Sequence, residues 1–231
     1  LSESNGTRKT EFGSHKVSFR FDHKFDSTSN LRIRGSFKKN DGDIFSRDTI
    51  KRFNLIDSLQ NESFSGYNST SDDLSFDANI LHSKRLKKKG RVITTKITGS
   101  NSISESPLFL NSGQTYYSYN PFFSVDSLTN QRQASENNNL NYSGKITFTE
   151  PIGKKRYVEL NVSHQNNNIE SIRDYYDIIG TDRTEIISPL STNYSNEYIY
   201  NKAGLSFRQN RKKYNLTLGA DGQMTGLTGQ I

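Results

Sequence analysis

The chain has 231 residues, no Cys, no Trp, one Met and four Pro, with a mean hydropathy of -0.82 and a net charge of +7. Hydrophobic residues make up 31%, against roughly 45–50% in an ordinary globular domain, so a soluble fold of this length lacks the apolar surface to offset its conformational entropy. Its 14 Phe and 12 Tyr exclude a solvated coil, and the absence of any run of about 18 apolar residues excludes a transmembrane helix.

A membrane β-barrel satisfies these bounds, because each strand needs only one apolar face and the other can stay polar around a wet lumen. Leu1-Ser2-Glu3-Ser4-Asn5 has no signal-peptide character, so an export signal is expected upstream. A lack of Cys suits an envelope protein.

Period-two alternation begins at His15. Val17, Phe19, Phe21 and Phe25 alternate with Ser18, Arg20, Asp22 and Lys24. A turn over Asp26–Asn30 follows, then Leu31, Ile33, Gly35 and Phe37 alternate with Arg32, Arg34, Ser36 and Lys38. Two such strands across a short polar turn predict an antiparallel hairpin. The unit recurs three times. The second hairpin has Leu74, Phe76, Ala78 and Ile80, a turn over Lys87–Gly90, then Ile93, Thr95, Ile97 and Gly99. The third has Leu140, Tyr142, Gly144, Ile146 and Phe148, a turn over Glu150–Lys155, then Val158, Leu160 and Val162. The fourth has Ile199, Ala203, Leu205 and Phe207, a turn over Gln209–Lys213, then Tyr214, Leu216, Leu218 and Ala220.

Strand lengths fall near the roughly 9–11 residues that a tilted strand needs to cross a bilayer. The links between hairpins, Asn40 to Asp72, Asn101 to Asn138 and Gln165 to Asn196, are several times longer than the turns within them. Short periplasmic turns alternating with long extracellular loops predict an all-β, antiparallel transmembrane β-barrel segment of about eight strands in four hairpins. A soluble sandwich would show turn signals every 8–12 residues at both ends.

Basic residues concentrate in the short turns (Lys87–Arg91, Lys154–Arg156, Arg211–Lys213) and on the polar face (Arg20, Arg32, Arg34, Lys96, Lys145, Lys202). Their placement explains the basic balance without nucleic acid as a partner. In the centres of the strands the apolar register carries none of them, where each would cost about 2–4 kcal/mol in lipid.

The stretches Leu74 to Asn101, Gly144 to Asn166 and Asn196 to Gly229 resemble the outer-membrane β-barrel family of Bacteroidota, which is related to TonB-dependent receptors. The likeness lies in the KKKGR turn, the TEPIGKK turn and the late AGLSF strand followed by a basic turn and LTLG. It covers most of the chain from about residue 15. It implies a bacterial outer-membrane location with outer-membrane lipid around the strands. It also implies a larger barrel with a plug domain upstream, energised by a TonB-type complex through a domain outside this chain. Neither a plug nor a TonB-box is recognisable here. Residues 1–231 are therefore read as a single partial β-barrel region, a middle section, with plug and remaining strands outside it. Gly229-Gln230-Ile231 reads as the start of another long loop.

No GxSxG, HExxH, P-loop or GxGxxG pattern occurs, so no catalytic residue is proposed and the protein is not expected to be an enzyme. No cofactor and no metal is expected. His15, His23, His82 and His164 lie far apart on predicted strands and read as an amphipathic ring near a membrane interface. Asp72-Asp73 and Asp41-Gly42-Asp43 read as solvated turn acids, with a loose Ca²⁺ site as the less favoured alternative. Tyr116, Tyr117, Tyr119, Phe122 and Phe123 cluster in the second long loop, and Tyr175 and Tyr176 lie in the third. They form the candidate site for an unknown extracellular ligand, a sugar or a peptide, by stacking. Loop-on-loop packing is the alternative.

Function is accordingly expected to be ligand uptake by a TonB-dependent-receptor-like barrel. The alternatives are a structural or assembly barrel without transport, a complete eight-stranded adhesin, and a soluble β binding module. Expressed alone, the segment is expected to aggregate, since open strand edges are unstable in lipid.

Overall fold

The structure is a computed structural model describing residues 1–119, 122–179 and 183–230, and for Arg183 the backbone alone. In chain order the strands are β1 (Ser2–Lys24), β2 (Ser29–Phe53), β3 (Leu59–Arg85), β4 (Val92–Glu105) and β5 (Leu108–Tyr119). They continue as β6 (Phe122–Gly153), β7 (Arg156–Ile179), β8 (Arg183–Ile186), β9 (Thr192–Asn210) and β10 (Asn215–Gln230). All pair antiparallel in one sheet ordered β1-β2-β3-β4-β6-β7-β9-β10, with β5 between β3 and β6 and β8 beside β7. Eight strands thus form the continuous path, in the four expected hairpins. Among the described residues β1 and β10 are edges, so the sheet is not closed.

The hairpin turns lie where the alternation breaks. The third of these turns is two residues long, Lys154–Lys155, with Lys155 at φ 58 and a register shift between Pro151 and Gly153. Asp26 closes the first turn by accepting from both the backbone N–H and the hydroxyl of Thr28, at 2.6 Å each. Such an Asx-turn lets a polar side chain replace a ladder bond.

Three expectations are corrected. Strands are not limited to the length of a membrane crossing: β6 alone has 32 residues, about 105 Å when extended. The links between hairpins are not irregular loops but continuations of the ladder. Asn40 pairs with Asp73, and pairing runs on to Phe53 and Leu59 around a turn at Asn54–Ser58. β5 and β8 are additional strands built from the other two links. The physical reason is that long polar segments anchored at both ends satisfy their backbone groups most simply by extending the existing ladder. Gly229 and Gln230 are likewise paired, with Asn196 and Ser195, rather than the start of a loop. Ile231, Asn120, Pro121 and Gly180–Asp182 lie outside the described residues.

Following register partners across the sheet separates its two faces. One row on the apolar face runs Phe21, Ile33, Ile80, Ile97, Gly144, His164, Asn201, Met224. The adjacent row on the polar face runs Asp22, Arg32, Leu81, Lys96, Lys145, Ser163, Lys202, Gln223. Polar-face charges pair with one another: Asp22 with Arg20 and Arg32, Lys202 with Asp221 at 2.6 Å, Arg208 with Glu159 at 2.9 Å.

No hydrophobic side chain among the described residues is buried. The exposed surface is 16312 Å², against about 10,600 Å² for a compact monomer of this mass. The apolar band drifts as the sheet is crossed. Its upper row is apolar on β1–β3 (Val17, Phe37, Phe76) and polar on β7 and β9 (Asn168, Glu197). A lower row is polar on β2 and β3 (Ser29, Lys84) and apolar from β4 onward (Ile93, Phe148, Leu160, Leu205, Ala220).

Candidate functional site

The aromatic candidates are strand residues in the hairpins opposite the short turns. In the β5–β6 hairpin, Tyr119 pairs with Phe122, Tyr117 with Ser124, Ser118 with Phe123 and Tyr116 with Val125. Strand alternation splits them between faces. Tyr117, Tyr119 and Phe122 continue the apolar face, whereas Tyr116 and Phe123 continue the polar face. The rings of Tyr119 and Phe122 lie 5.9 Å apart at a 52° tilt, and the Tyr119 hydroxyl donates to the Leu59 carbonyl at 2.5 Å.

Tyr175 and Tyr176 are not part of this tip. They pair with Gln133 and Arg132, ten residues along β6 from Phe123 and Phe122, roughly 33 Å in an extended strand. They too point to opposite faces. The structure therefore brings together five of the seven predicted aromatics on one hairpin, in two groups back to back, and leaves the other pair near its base. Tyr176 shares a row with Phe45, Asn68, Phe109 and Arg132, in which the Arg132 guanidinium sits 5.7 Å from the centroid of the Phe109 ring.

One residue that the sequence did not single out stands beside the tip. Asn61 of β3 pairs with Arg52 of β2 and Tyr116 of β5, so all three share the polar face. Asn61 is buried, at 6% exposure, and neither its Nδ2 nor its Oδ1 has a hydrogen-bond partner among the described residues. The Asn61 amide is covered by its neighbours, so the groups this tip offers to a hydroxyl-rich or peptide-like molecule are the exposed Tyr116 phenol and the Arg52 guanidinium. Nothing in an Asn/Ser-rich chain marks this Asn from its neighbours; its register alone distinguishes it.

The histidines are less scattered than their numbering suggests. His23 and His82 both lie in the row of Leu31, and Phe25 bridges them, 4.7 Å from the His23 ring and 6.5 Å from that of His82. They form an aromatic patch on the apolar face near the short turns, the depth at which barrels carry aromatic girdles. His164 instead meets Tyr142 at 6.3 Å and Asn201 at 2.8 Å. Asp41 and Asp72 are register partners, and Lys39 binds Asp72 at 3.0 Å. Among the described residues no three His, Asp or Glu side chains converge as metal ligands would.

At the short turns two carboxylates are held ionised. Thr28, through its hydroxyl and backbone N–H, and then Lys84 hold Asp26 far below the usual carboxylate range. The Arg91 guanidinium and then the Lys88 ammonium hold Glu150 down to about 2, with Lys88 at 2.5 Å and Arg91 at 2.5 and 2.9 Å.

No family model matches the chain, and no curated protein matches it. Solved structures similar to it include FpvA of Pseudomonas aeruginosa bound to a heterologous pyoverdine–iron complex, at 10% identity and a TM-score of 0.43. That alignment covers 98% of this chain and 37% of FpvA. BauA, the ferric preacinetobactin receptor from Acinetobacter baumannii, is similar at 11% identity and a TM-score of 0.41, over 100% of this chain and 41% of that one. This chain thus spans about two fifths of the length of either protein.

Proposed function

We propose that this chain is a section of a membrane-spanning β-barrel in a bacterial outer membrane, within a TonB-dependent-receptor-like protein that takes up an extracellular ligand, and that it is not an enzyme. The observation that carries the membrane reading is the apolar band. On β6 it runs from Leu140 to Phe148 and on β9 from Ile199 to Phe207, close to the roughly 9–11 residues of a crossing. Its side chains stay exposed, Ile146 at 54% and Leu205 at 56%, and a contiguous apolar surface of this extent needs lipid rather than water.

Uptake rests on the tip facing the polar interior. Tyr116, Phe123 and Arg52 offer exposed rings and a cation on the interior face, a set suited to a sugar or peptide. Tyr117, Tyr119 and Phe122 on the outer face favour a second reading, in which the barrel anchors a surface partner without transport.

Deletion of the gene, with growth tested on a panel of oligosaccharides and peptides as sole nutrients, separates the two. Uptake predicts loss of growth on one nutrient, restored by the wild-type gene and not by Y116A/F123A. Growth unchanged on every nutrient, with a surface-bound partner lost in Y119A/F122A, replaces transport by anchoring. Recovery of the protein outside the outer-membrane fraction, without a heat-modifiable band on electrophoresis, overturns the membrane reading itself.

A further inference from the structure

The four short turns carry a net positive charge larger than that of the whole chain. Residues 24–29, 84–92, 150–156 and 208–214 hold fourteen Lys and Arg against Asp26 and Glu150. Those segments therefore carry +12, and with a total of +7 the remainder of the chain carries -5.

These cations divide by face. Lys84 lies in an apolar-face row and pairs with Asp26 at 3.2 Å. Lys88 and Arg91 pair with Glu150, itself in the row of Val158 and Phe207. Both carboxylates at this end are thus used on the apolar side. On the polar side the turns surround a recess of about 1320 Å³, lined by Arg85, Lys89, Lys154, Lys155, Arg211 and Lys212. Val92 and Tyr157, also in its wall, lie in polar-face rows with Arg85 and Arg208. No carboxylate lines it, and none of the six cations has an ion-pair partner among the described residues.

We infer that this recess docks an acidic, extended protein segment arriving from the short-turn side of the membrane. Six like charges around one cavity repel each other, and a polyanion relieves that repulsion while gaining charge-assisted hydrogen bonds. The volume equals that of about forty waters, room for a stretch of polypeptide rather than for one ion. Lipid headgroups are the poorer fit. They would meet the outer face of the barrel, where Lys84, Lys88 and Arg91 are already paired with carboxylates, and they do not enter its interior. The inference rests on the barrel reading for which face is inward.

The test uses the full-length protein in neutral detergent and a fluorescein-labelled peptide of alternating Glu and Gly. Binding is expected at low salt and weakens at least about tenfold in K154E/K155E/R211E/K212E, and again on raising NaCl from about 0.05 to about 0.5 M. It is unchanged in K84Q/K88Q, whose cations face the other way. Equal affinity in wild type and the quadruple variant overturns the inference. So does displacement of the peptide by inorganic phosphate at equal charge concentration, which marks a single-anion site, or by vesicles containing phosphatidylglycerol, which marks a lipid surface. Heat-modifiable mobility of each variant reports the barrel independently. Loss of peptide binding in a barrel that keeps this mobility is therefore distinct from failure of the barrel reading.

Discussion

Near the short turns, the apolar face of β6 carries Leu140, Tyr142, Ile146 and Phe148; farther along, the same face of the same strand carries Asp126, Asn130, Arg132 and Glu136. The backbone ladder does not change between them: Phe148 pairs with Leu160 and Glu136 with Ile172 in one uninterrupted register. Hydrogen bonding is indifferent to what lies outside the sheet, because each N–H and C=O finds its partner within it. Side chains alone divide the sheet into a belt suited to lipid and an extension suited to water. On the proposed barrel reading, depth in the membrane is written in residue type, and the height of the protruding hairpins in chain length.

The sharpest way to break this comparison is to place the same charge in each region on the same face. Leu205 is 56% exposed in the belt and Leu128 is 70% exposed on the extension. L205R is expected to cost about 2–4 kcal/mol, and L128R to stay within about 0.5 kcal/mol, both read from urea unfolding of the full-length protein in lipid vesicles. Equal effects would remove lipid as the cause of the difference.

Glycines within the belt give the next largest effect. The Phe19 ring lies across Gly35, where an added Cβ would collide with its Cε1 and Cζ, while Gly99 in the same row faces open space. G35V is expected to cost about 1–3 kcal/mol by displacing that ring. G99V is expected to be neutral or mildly stabilising, since a β-branched residue suits a strand. The same unfolding assay compares them.

A smaller effect concerns the border of the belt. Arg91 and Lys88 hold Glu150 at about 2, below its ordinary value of 4.5. A depressed carboxyl contributes stability above its unfolded pKa, and that contribution is lost as pH falls from about 4.5 through about 2. Wild type should therefore lose more thermal stability than E150Q across that window, and the two should run parallel above it. Parallel melting curves throughout would mean that this pairing contributes nothing to folding.

Last, Lys96 and Lys145 face each other across β4 and β6 on the polar face without an ion-pair partner among the described residues. K145E replaces a like-charge pair with an attractive one and is expected to stabilise by about 0.2–1 kcal/mol, an effect that shrinks with salt.

Much of this organisation is legible in residue order. Alternation over Val17–Phe25, Leu31–Phe37 and their repeats places every short hairpin, because a strand with one apolar face must show period two. Asp26, Gly90 and Lys154-Lys155 mark the turns by the local chemistry that a reversal requires. The seven aromatics stand out as residue types, yet their division into Tyr116 and Phe123 against Tyr117, Tyr119 and Phe122 follows from parity along strands that only pairing creates.

What the sequence by itself determined is therefore local: strand faces, short turns and the basic character of one end. These depend on interactions between near neighbours in the chain. Only the tertiary structure decided that the long links continue as paired β-ribbon, that Asn61 stands beside Tyr116 at a separation of 55 residues, and that six turn cations share one recess while Lys84, Lys88 and Arg91 meet carboxylates. Each of those outcomes depends on register between strands remote in sequence, which backbone hydrogen bonds fix and composition does not encode.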